Sequence, residues 1–466
     1  MRHPFLLLLA APVLAAAPFS TRFEEIKRTA TPVQLYTFLY ALPKGGDLHN
    51  HLGGSARAEW WHAVATDPAR NGGDTFYTRT RFHATPGTGV TLILYHTLRQ
   101  HGYDALSDTE KADYTRLDHL SPEQKQGWLD SLRLDRPGEG RDEFFTWVWP
   151  RLGQLGSNLP VTGEILVEII KAYGAEGMRY LETQQGAMGF TDNAGRPIPP
   201  DEVAAYLRDR LAKPDAVASG VTVRFQSTVL RFLPGAELQL ENHYRFVDAH
   251  RDLWVGINMA GIEENNKGHP ARFLAKYREL RRAIPTLALS IHGGEMDWHD
   301  SHVRDTLLLG ASRIGHGLNL IQDPDTLLLL QQSRRVLVEI NLISNRLLEY
   351  TPDLTAHPFP EYLRTGIPVC LCTDDRGMWD SNLTDEYYTA VTTYNLSWEE
   401  IVQLGRNSLV HSFAPPGVKA ALLADYEKAL AAFEARFATG DLTGALSGVR
   451  PVAYGYAKRT WGFEFR

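Results

Sequence analysis

Eight short apolar runs, most of them followed by a helical stretch, constrain this chain more than any other feature. The runs cover residues 45–52, 177–184, 221–230, 253–260, 287–292, 313–320, 336–342 and 368–375. Between them lie amphipathic patterns at 161–173, 201–212 and 271–283, where apolar residues recur at the helical period. Alternation of strand and helix implies a parallel sheet. Eight such units predict an α/β fold of the (β/α)8 TIM-barrel type. An open doubly wound sheet is the competing arrangement, but it places a Gly-rich phosphate loop after its first strand. Here Gly45-Gly46 comes before the first chemically loaded residues. A length of 466 residues suits one barrel with insertions. Hydrophobic residues at 43% and charged residues at 22% are ordinary for a chain with a large core.

The barrel pattern divides the chain. Residues 1–17 read as a signal peptide, with a short basic start, an apolar run and an Ala15-x-Ala17 cleavage pattern. A membrane span needs about 20 apolar residues, and the polar Ser20-Thr-Arg-Phe-Glu-Glu arrives too early. An exported protein, periplasmic or secreted, is the expectation. Residues 18–42 form an N-terminal segment and 43–440 the barrel domain. Residues 66–141 are polar and rich in Gly, Asp and Thr, so they read as an insertion after the first strand, with helical pieces at 90–101 and 121–132. Two C-terminal helices follow Ser397 and reach about residue 437, and 441–466 is a tail whose aromatic residues could dock on the body. The net charge of −7, with no Lys/Arg block, argues against nucleic-acid binding and against a polybasic membrane anchor. The two cysteines, Cys370 and Cys372, sit at i and i+2 of one apparent strand, where extended geometry keeps them from bridging.

Chemistry-bearing residues gather where a barrel keeps its active site, at the C-terminal ends of the strands. His49 and His51 end the first run, and two imidazoles at i and i+2 of a strand point to one face. Neutral imidazole is the commonest side-chain metal ligand. Gly261 follows the fourth run, His292 and Glu295 close the fifth, His316 belongs to the sixth, and Asp374 and Asp375 close the eighth. Each residue alone has a plain reading: a buried strand-end histidine, a surface carboxylate, or an Asp capping the next helix. Their joint placement at one barrel mouth favours a metal site, for which His49, His51, His292 and Asp374 supply nitrogen and oxygen ligands of the kind zinc accepts. The thiolate type of zinc deaminase is excluded, because two cysteines at i and i+2 do not supply its Pro-Cys-x-x-Cys signature.

The ordered motifs Pro43-Lys-Gly-Gly-Asp-Leu-His-Asn-His-Leu, His292-Gly-Gly-Glu295, Arg313-Ile-Gly-His-Gly317 and Cys372-Thr-Asp-Asp375 resemble those of the adenosine deaminase family, within the metal-dependent amidohydrolases. The likeness spans residues 43–411, and its opening motif is nearest the secreted, growth-factor-related branch. The resemblance implies one Zn2+ per chain, held by His49, His51, His292 and Asp374. It implies Glu295 as proton donor to the purine N1, His316 as the group that orients or deprotonates the metal's water, and Asp375 as a second partner of that water. Gly261 would present its backbone to the purine. A second metal is not expected, because binuclear relatives use a fourth-strand lysine and residues 253–260 have none.

The implied enzyme is an adenosine deaminase-like hydrolase of a cyclic amidine C–N bond, converting adenosine or 2′-deoxyadenosine to the inosine form and ammonia. The implied partner is a small purine nucleoside. The sequence departs from the family at Gly53, where an Asp that grips the ribose 5′-hydroxyl is common. Ribose recognition then falls to other residues, the 66–141 insertion among them. That departure keeps open an amidohydrolase acting on adenine or a modified purine, or a catalytically weak nucleoside-binding protein.

Overall fold

The computed structural model describes residues 19–82, 93–284 and 287–465. The expected signal peptide lies outside the described residues. In chain order the strands are β1 (Gly45–Asp47), β2 (Phe76–Arg79), β3 (Thr97–Arg99), β4 (Tyr114–Arg116), β5 (Met178–Gln184), β6 (Thr222–Leu230), β7 (Trp254–Ala260), β8 (Ala288–Gly293), β9 (Arg313–His316), β10 (Leu337–Ile340) and β11 (Val369–Leu371). Eight of them form one sheet in the order β1-β5-β6-β7-β8-β9-β10-β11, and each pairing between neighbours is parallel. The sheet closes on itself just past β1 and β11. There Asn50 bridges Asp374, the Asp374 N–H donates to His49 O at 2.9 Å, and the His51 N–H donates to Asp374 O at 3.2 Å. The result is the (β/α)8 TIM barrel that the alternation of runs predicts.

The first strand is shorter than its apolar run. It pairs over Gly45–Asp47, touches the sheet again as isolated bridges at Asn50 and His51, and gives way to a helical turn at Leu52–Ser55. Asp47 causes the departure. Its Oδ1 accepts the His49 N–H at 3.1 Å, and its Oδ2 accepts from Thr373 Oγ1 and Tyr173 Oη, each at 2.7 Å. Local side-chain bonding of this kind competes with the strand ladder.

The flanking helices follow the sequence closely where caps are strong. Asn158 caps Leu159–Ala175 by accepting the Val161 N–H, and that helix lays Ile165, Leu166, Ile169 and Ile170 on the barrel. Ser397 and Glu400 make a reciprocal capping box at Trp398–Val410, a device worth about 1 kcal/mol. The long helix Pro416–Phe437 comes next, and the tail docks through aromatic contacts, with Phe463 5.2 Å from Tyr36 and Trp461 4.7 Å from Tyr388. Among the described residues no helix is long and apolar enough to cross a membrane.

The region after the first strand differs from expectation in one piece. The helix Pro122–Ser131 forms with its Ser121 cap, but no helix fills 90–101. Its described part holds β3 and the start of a short helix, Gln100–Asp104, while residues up to 92 lie outside the described residues. β3 pairs antiparallel with β2, which also pairs with β4. Arg99 explains the preference: its guanidinium is buried against Asp74 at 2.5 Å and donates to the Thr191 and Asp192 carbonyls, which ties β3 to the loop after β5. Beyond Arg141 the chain runs as one helical segment, Arg141–Glu143, Phe144–Val148 and Trp149–Arg151, whose middle has a widened π-type turn. Cys370 and Cys372 are buried and free, their sulfurs 3.5 Å apart, well beyond the about 2.05 Å of a bond.

Candidate active site

The C-terminal strand ends bring the expected residues to one mouth. His49 and His51 follow β1, Gly261 follows β7, and His292 lies in β8 with Glu295 two residues past its end. His316 ends β9, and Asp374 and Asp375 follow β11. Two of these residues hold left-handed backbone, His316 at φ 63° and Asp374 at φ 54°. Such conformations cost of order 1 kcal/mol or more for a side-chain-bearing residue and gather at functional sites. Two glycines make the approach possible. A Cβ on Gly315 would lie 2.5 Å from His49 Cε1, and Gly261, at φ 107°, would meet the Phe232 ring at 2.4 Å.

His51 Nε2 lies 3.3 Å from Asp374 Oδ1 and His49 Nε2 3.6 Å from the same oxygen. The His292 ring centre is 4.4 Å from that of His49 and 5.4 Å from that of His51. Ligand atoms of His49, His51 and Asp374 fall within 4.8 Å of one another, as do those of His49, His292 and His316. Behind the rings stand partners that no motif announced. His49 Nδ1 is 2.7 Å from Glu339 Oε2, and His292 Nδ1 is 3.1 Å from Asn258 Oδ1. Bonds at Nδ1 fix each ring so that Nε2 faces the cluster, the arrangement typical of metal-ligating histidines. His49 Nε2 is buried without a hydrogen-bond partner, as expected of a nitrogen that faces a cation. Ser344 Oγ donates to Asp374 Oδ2 at 2.7 Å, leaving Oδ1 toward the imidazoles. The donor set therefore fits a zinc ion.

Electrostatics separate the roles. Burial, reinforced by the positive potential of His49, holds the His292 and His316 imidazoles well below the usual histidine range, so both are neutral at pH 7. Burial also acts to lower His49, but the hydrogen bond and charge of Glu339 outweigh it and raise that group. Asp374 goes the other way from most buried carboxyls: burial opposes its ionisation, yet the His51 hydrogen bond and charge pull it below the normal carboxylate range. Burial, then the nearby Asp374, pushes Glu295 and Asp375 well above that range. Glu295 Oε2 sits 3.5 Å from His316 Nε2. A neutral carboxyl beside a neutral imidazole, above a cluster of imidazoles and one carboxylate, can deliver a proton to a ring nitrogen.

A cavity of about 330 Å³ opens onto this cluster. Its inner wall carries His51, His292, Glu295, His316, Asp374 and Asp375, with Gly261 alongside. All eight residues singled out in the sequence thus meet here, His49 from behind the wall. Sequence reasoning missed Phe144, Phe145 and Trp149, which also line it. It also missed Glu339, although a lone carboxylate in Val336-Leu-Val-Glu-Ile-Asn-Leu was a usable signal.

The family model described as adenosine deaminase matches residues 162–429. Adenosine deaminase from Enterococcus faecalis is 35% identical over 165 residues, 35% of this chain and 47% of that protein. The chain thus matches about half the length of that relative. Adenosine deaminase 2 from Dictyostelium discoideum is 24% identical over 409 residues, covering 81% of this chain and 70% of its own length. Among solved structures, a zinc-bound amidohydrolase from Burkholderia ambifaria superposes with a TM-score of 0.58 at 20% identity, covering 88% of this chain and 97% of that one. That likeness is one of fold. By the family match over more than half its length, this chain belongs to the adenosine deaminase family.

Proposed function

We propose that this protein is a zinc-dependent hydrolytic deaminase of adenosine and 2′-deoxyadenosine that works after export. The observation that carries the reading is the placement of Glu295 3.5 Å from His316 over the His49, His51 and Asp374 cluster. One zinc ion would be held by His49, His51, His292 and Asp374. Bound there, zinc acts as a Lewis acid and lowers the pKa of water toward ~7.

The chain's own residues supply the rest. Glu295, kept protonated by burial, donates to the purine N1 as charge moves onto the ring. His316, neutral in its buried place, points Nε2 at the same region and orients water, and Asp375 is the second partner of that water. Asp375 Oδ1 is buried without a protein hydrogen-bond partner, which leaves it free for this contact. Gly261, with no side chain to intervene, offers its backbone to the purine. In balance, a water oxygen bonds to C6, the C6–N bond to the exocyclic amine breaks, one water proton leaves with the amine as ammonia, and the other replaces the proton that Glu295 gave to N1.

A nucleoside is favoured over a nucleotide because, among the described residues, no Lys or Arg lines the cavity, and a buried phosphate requires cationic or backbone partners. Adenine itself is the second reading, supported by Gly53. The test is direct: zinc-loaded protein is mixed with adenosine, 2′-deoxyadenosine, adenine and AMP, and ammonia release is followed with the ultraviolet change from the amino to the oxo purine. Turnover of adenosine is expected, and no turnover of any of the four would overturn the deaminase reading. N-terminal sequencing of the mature protein tests export, with a start near Ala17 or Pro18 expected.

A further inference from the structure

We infer that the apolar part of the cavity is a subsite for an apolar group, so that this protein prefers 6-aminopurine nucleosides carrying an apolar substituent at the 5′ position. The inference rests on the deaminase reading and deepens it. When C6 and N1 face the acid and metal-ligand cluster, N9 lies on the opposite side of the purine. Apart from the residues of that cluster and its neighbours Thr228, Ala260 and Gly261, the lining left for the sugar to meet is Phe144, Phe145, Trp149, Leu230, Phe232 and Ile262. Among the described residues, the only side chains of the lining outside the acid and metal-ligand cluster that bear a polar atom are Thr228 and Trp149, so a sugar 5′-hydroxyl buried against that lining loses water without a dedicated partner. An alkyl or alkylthio group in its place gains by burial.

Trp149 takes the space that a longer side chain at residue 53 would need. A Cβ added to Gly53 would lie 3.3 Å from Trp149 Cζ3, so even the first carbon of a side chain there presses on the indole. The Trp149 and His51 ring centres are 6.0 Å apart, so the apolar wall starts at the metal-ligand cluster and continues from it along the cavity. The wall is braced. Phe144 packs on Phe145 at 5.0 Å, on Trp149 at 6.2 Å and on the fully buried Trp379 at 4.7 Å. Across the widened turn at Phe144–Val148, Phe145 and Trp149 both reach the cavity, and π-type turns of this kind recur at functional sites.

Cations near the mouth are already engaged. Arg231 donates to Gly261 O, His292 O and Glu263, and Arg141 donates to Asp297 at 2.8 Å. A 5′-phosphate would enter an aromatic wall with neither guanidinium free to meet it.

The test compares kcat/KM for adenosine, 5′-deoxy-5′-methylthioadenosine and AMP on zinc-loaded wild type, Trp149→Ala and Phe145→Ala. Wild type should favour the methylthio nucleoside over adenosine by about tenfold, the size of effect that one or two buried methylene-sized groups produce. AMP should fall at least about a hundredfold below adenosine. Either alanine variant should bring the methylthio preference close to unity, and Phe145→Ala serves if Trp149→Ala does not fold. Deamination of adenosine with the methylthio compound disfavoured, or a preference unchanged in both variants, overturns the subsite and leaves the deaminase reading intact. Failure to deaminate any of the three removes that reading and the subsite with it.

Discussion

Arg231 and Glu263 form an ion pair of 3.0 Å at the barrel mouth, each about 1% exposed, and between them they hold the two loops that carry Gly261 and Glu295. Arg231 donates to the Gly261 carbonyl through Nε and Nη2 and to the His292 carbonyl through Nη1. Glu263 accepts the backbone N–H groups of Gly294 and Glu295 at 3.0 and 3.3 Å. Glu295, the proposed proton donor, is therefore fixed from its main chain, not only by what surrounds its carboxyl.

Glu263→Gln leaves the shape of the site but removes the charge that pairs Arg231. Breaking a buried pair by neutralising one partner costs about 3–5 kcal/mol. A loss of that order is expected in urea unfolding of the variant. Because the loop it anchors carries Glu295, kcat should fall by roughly tenfold or more while KM moves less, since misplacement of a catalytic group by about 1 Å costs on this scale. Unchanged kcat in a folded variant would show that the loop holds itself.

A chain of hydrogen bonds assigns the His316 tautomer. The Phe359 N–H donates to His357 Nδ1 at 3.1 Å, so the proton of neutral His357 is on Nε2, which donates to Asn345 Oδ1 at 3.1 Å. Asn345 Nδ2 then donates to His316 Nδ1 at 3.2 Å, and Asn341 Nδ2 stands nearer to the same nitrogen, at 3.3 Å, than to Nε2, at 3.5 Å; an Nδ1 that faces two amide donors leaves the His316 proton on Nε2, the nitrogen facing Glu295. His316 thus enters the site as a donor that orients water. His357→Leu frees Asn345 to turn over and should lower kcat by about 10–100-fold with little change in KM, whereas His357→Gln, whose amide can still donate, should restore most of it. Equal kcat in the two variants would remove the relay from the mechanism.

The same His357 makes stability sensitive to acid. It is 1% exposed, and burial lowers its pKa from 6.5 to about 3. Its folded pKa is depressed, so its contribution is complete above pH 6.5, where both states are neutral. The contribution is lost as pH falls toward 3, because the unfolded chain takes up a proton that the folded one refuses. Between pH 7 and 4.5 the loss is about 2–3 kcal/mol. Unfolding free energies from urea titrations at the two pH values should differ by less in His357→Gln than in wild type, by roughly that amount.

How much of this was legible in the sequence depends on the range of the interaction. The barrel was readable because each strand announces itself locally by an apolar run and each helix by its period and cap. The eight site residues were readable because barrel geometry sends strand ends to one place. Glu339, Asn258 and Arg231 were not singled out, since their roles arise from neighbours 290, 34 and 30 residues away along the chain. The early end of β1 escaped for another reason: Gly45–Leu52 has the right composition, and only the Asp47 contacts with Thr373 and Tyr173 reveal that the backbone turns away. The aromatic wall hid in a segment with no barrel periodicity.

Zinc should stabilise the fold as well as serve the reaction. A cation that binds only the folded state adds RT ln(1 + [L]/Kd), about 4 kcal/mol at a thousandfold excess over Kd. Chelation should therefore lower the thermal midpoint, and added zinc should restore it. Asp374→Asn removes the one ionised carboxylate that meets the His49 and His51 nitrogens and should abolish the zinc-dependent shift. A shift that survives in this variant would place the ion elsewhere.

Glu295→Gln separates binding of the metal from proton delivery. The side chain is not among the four groups that face the ion in the proposed site, and the amide keeps nearly the same volume, so zinc content measured by elemental analysis should stay at one per chain. The loss is chemical. Burial and the neighbouring Asp374 keep the Glu295 carboxyl protonated, and an amide can hydrogen-bond to N1 but cannot transfer a proton to it. Proton donation of this kind is worth about 10²–10⁴-fold, so kcat should fall within or beyond that range while substrate still binds. A variant with full zinc and wild-type turnover would show that N1 draws its proton from another group. Two neighbours would then be candidates, His316 Nε2, 3.5 Å from the same carboxyl, and the Asp375 carboxyl, which burial also keeps protonated; the His357 pair of variants would report on transfer from His316.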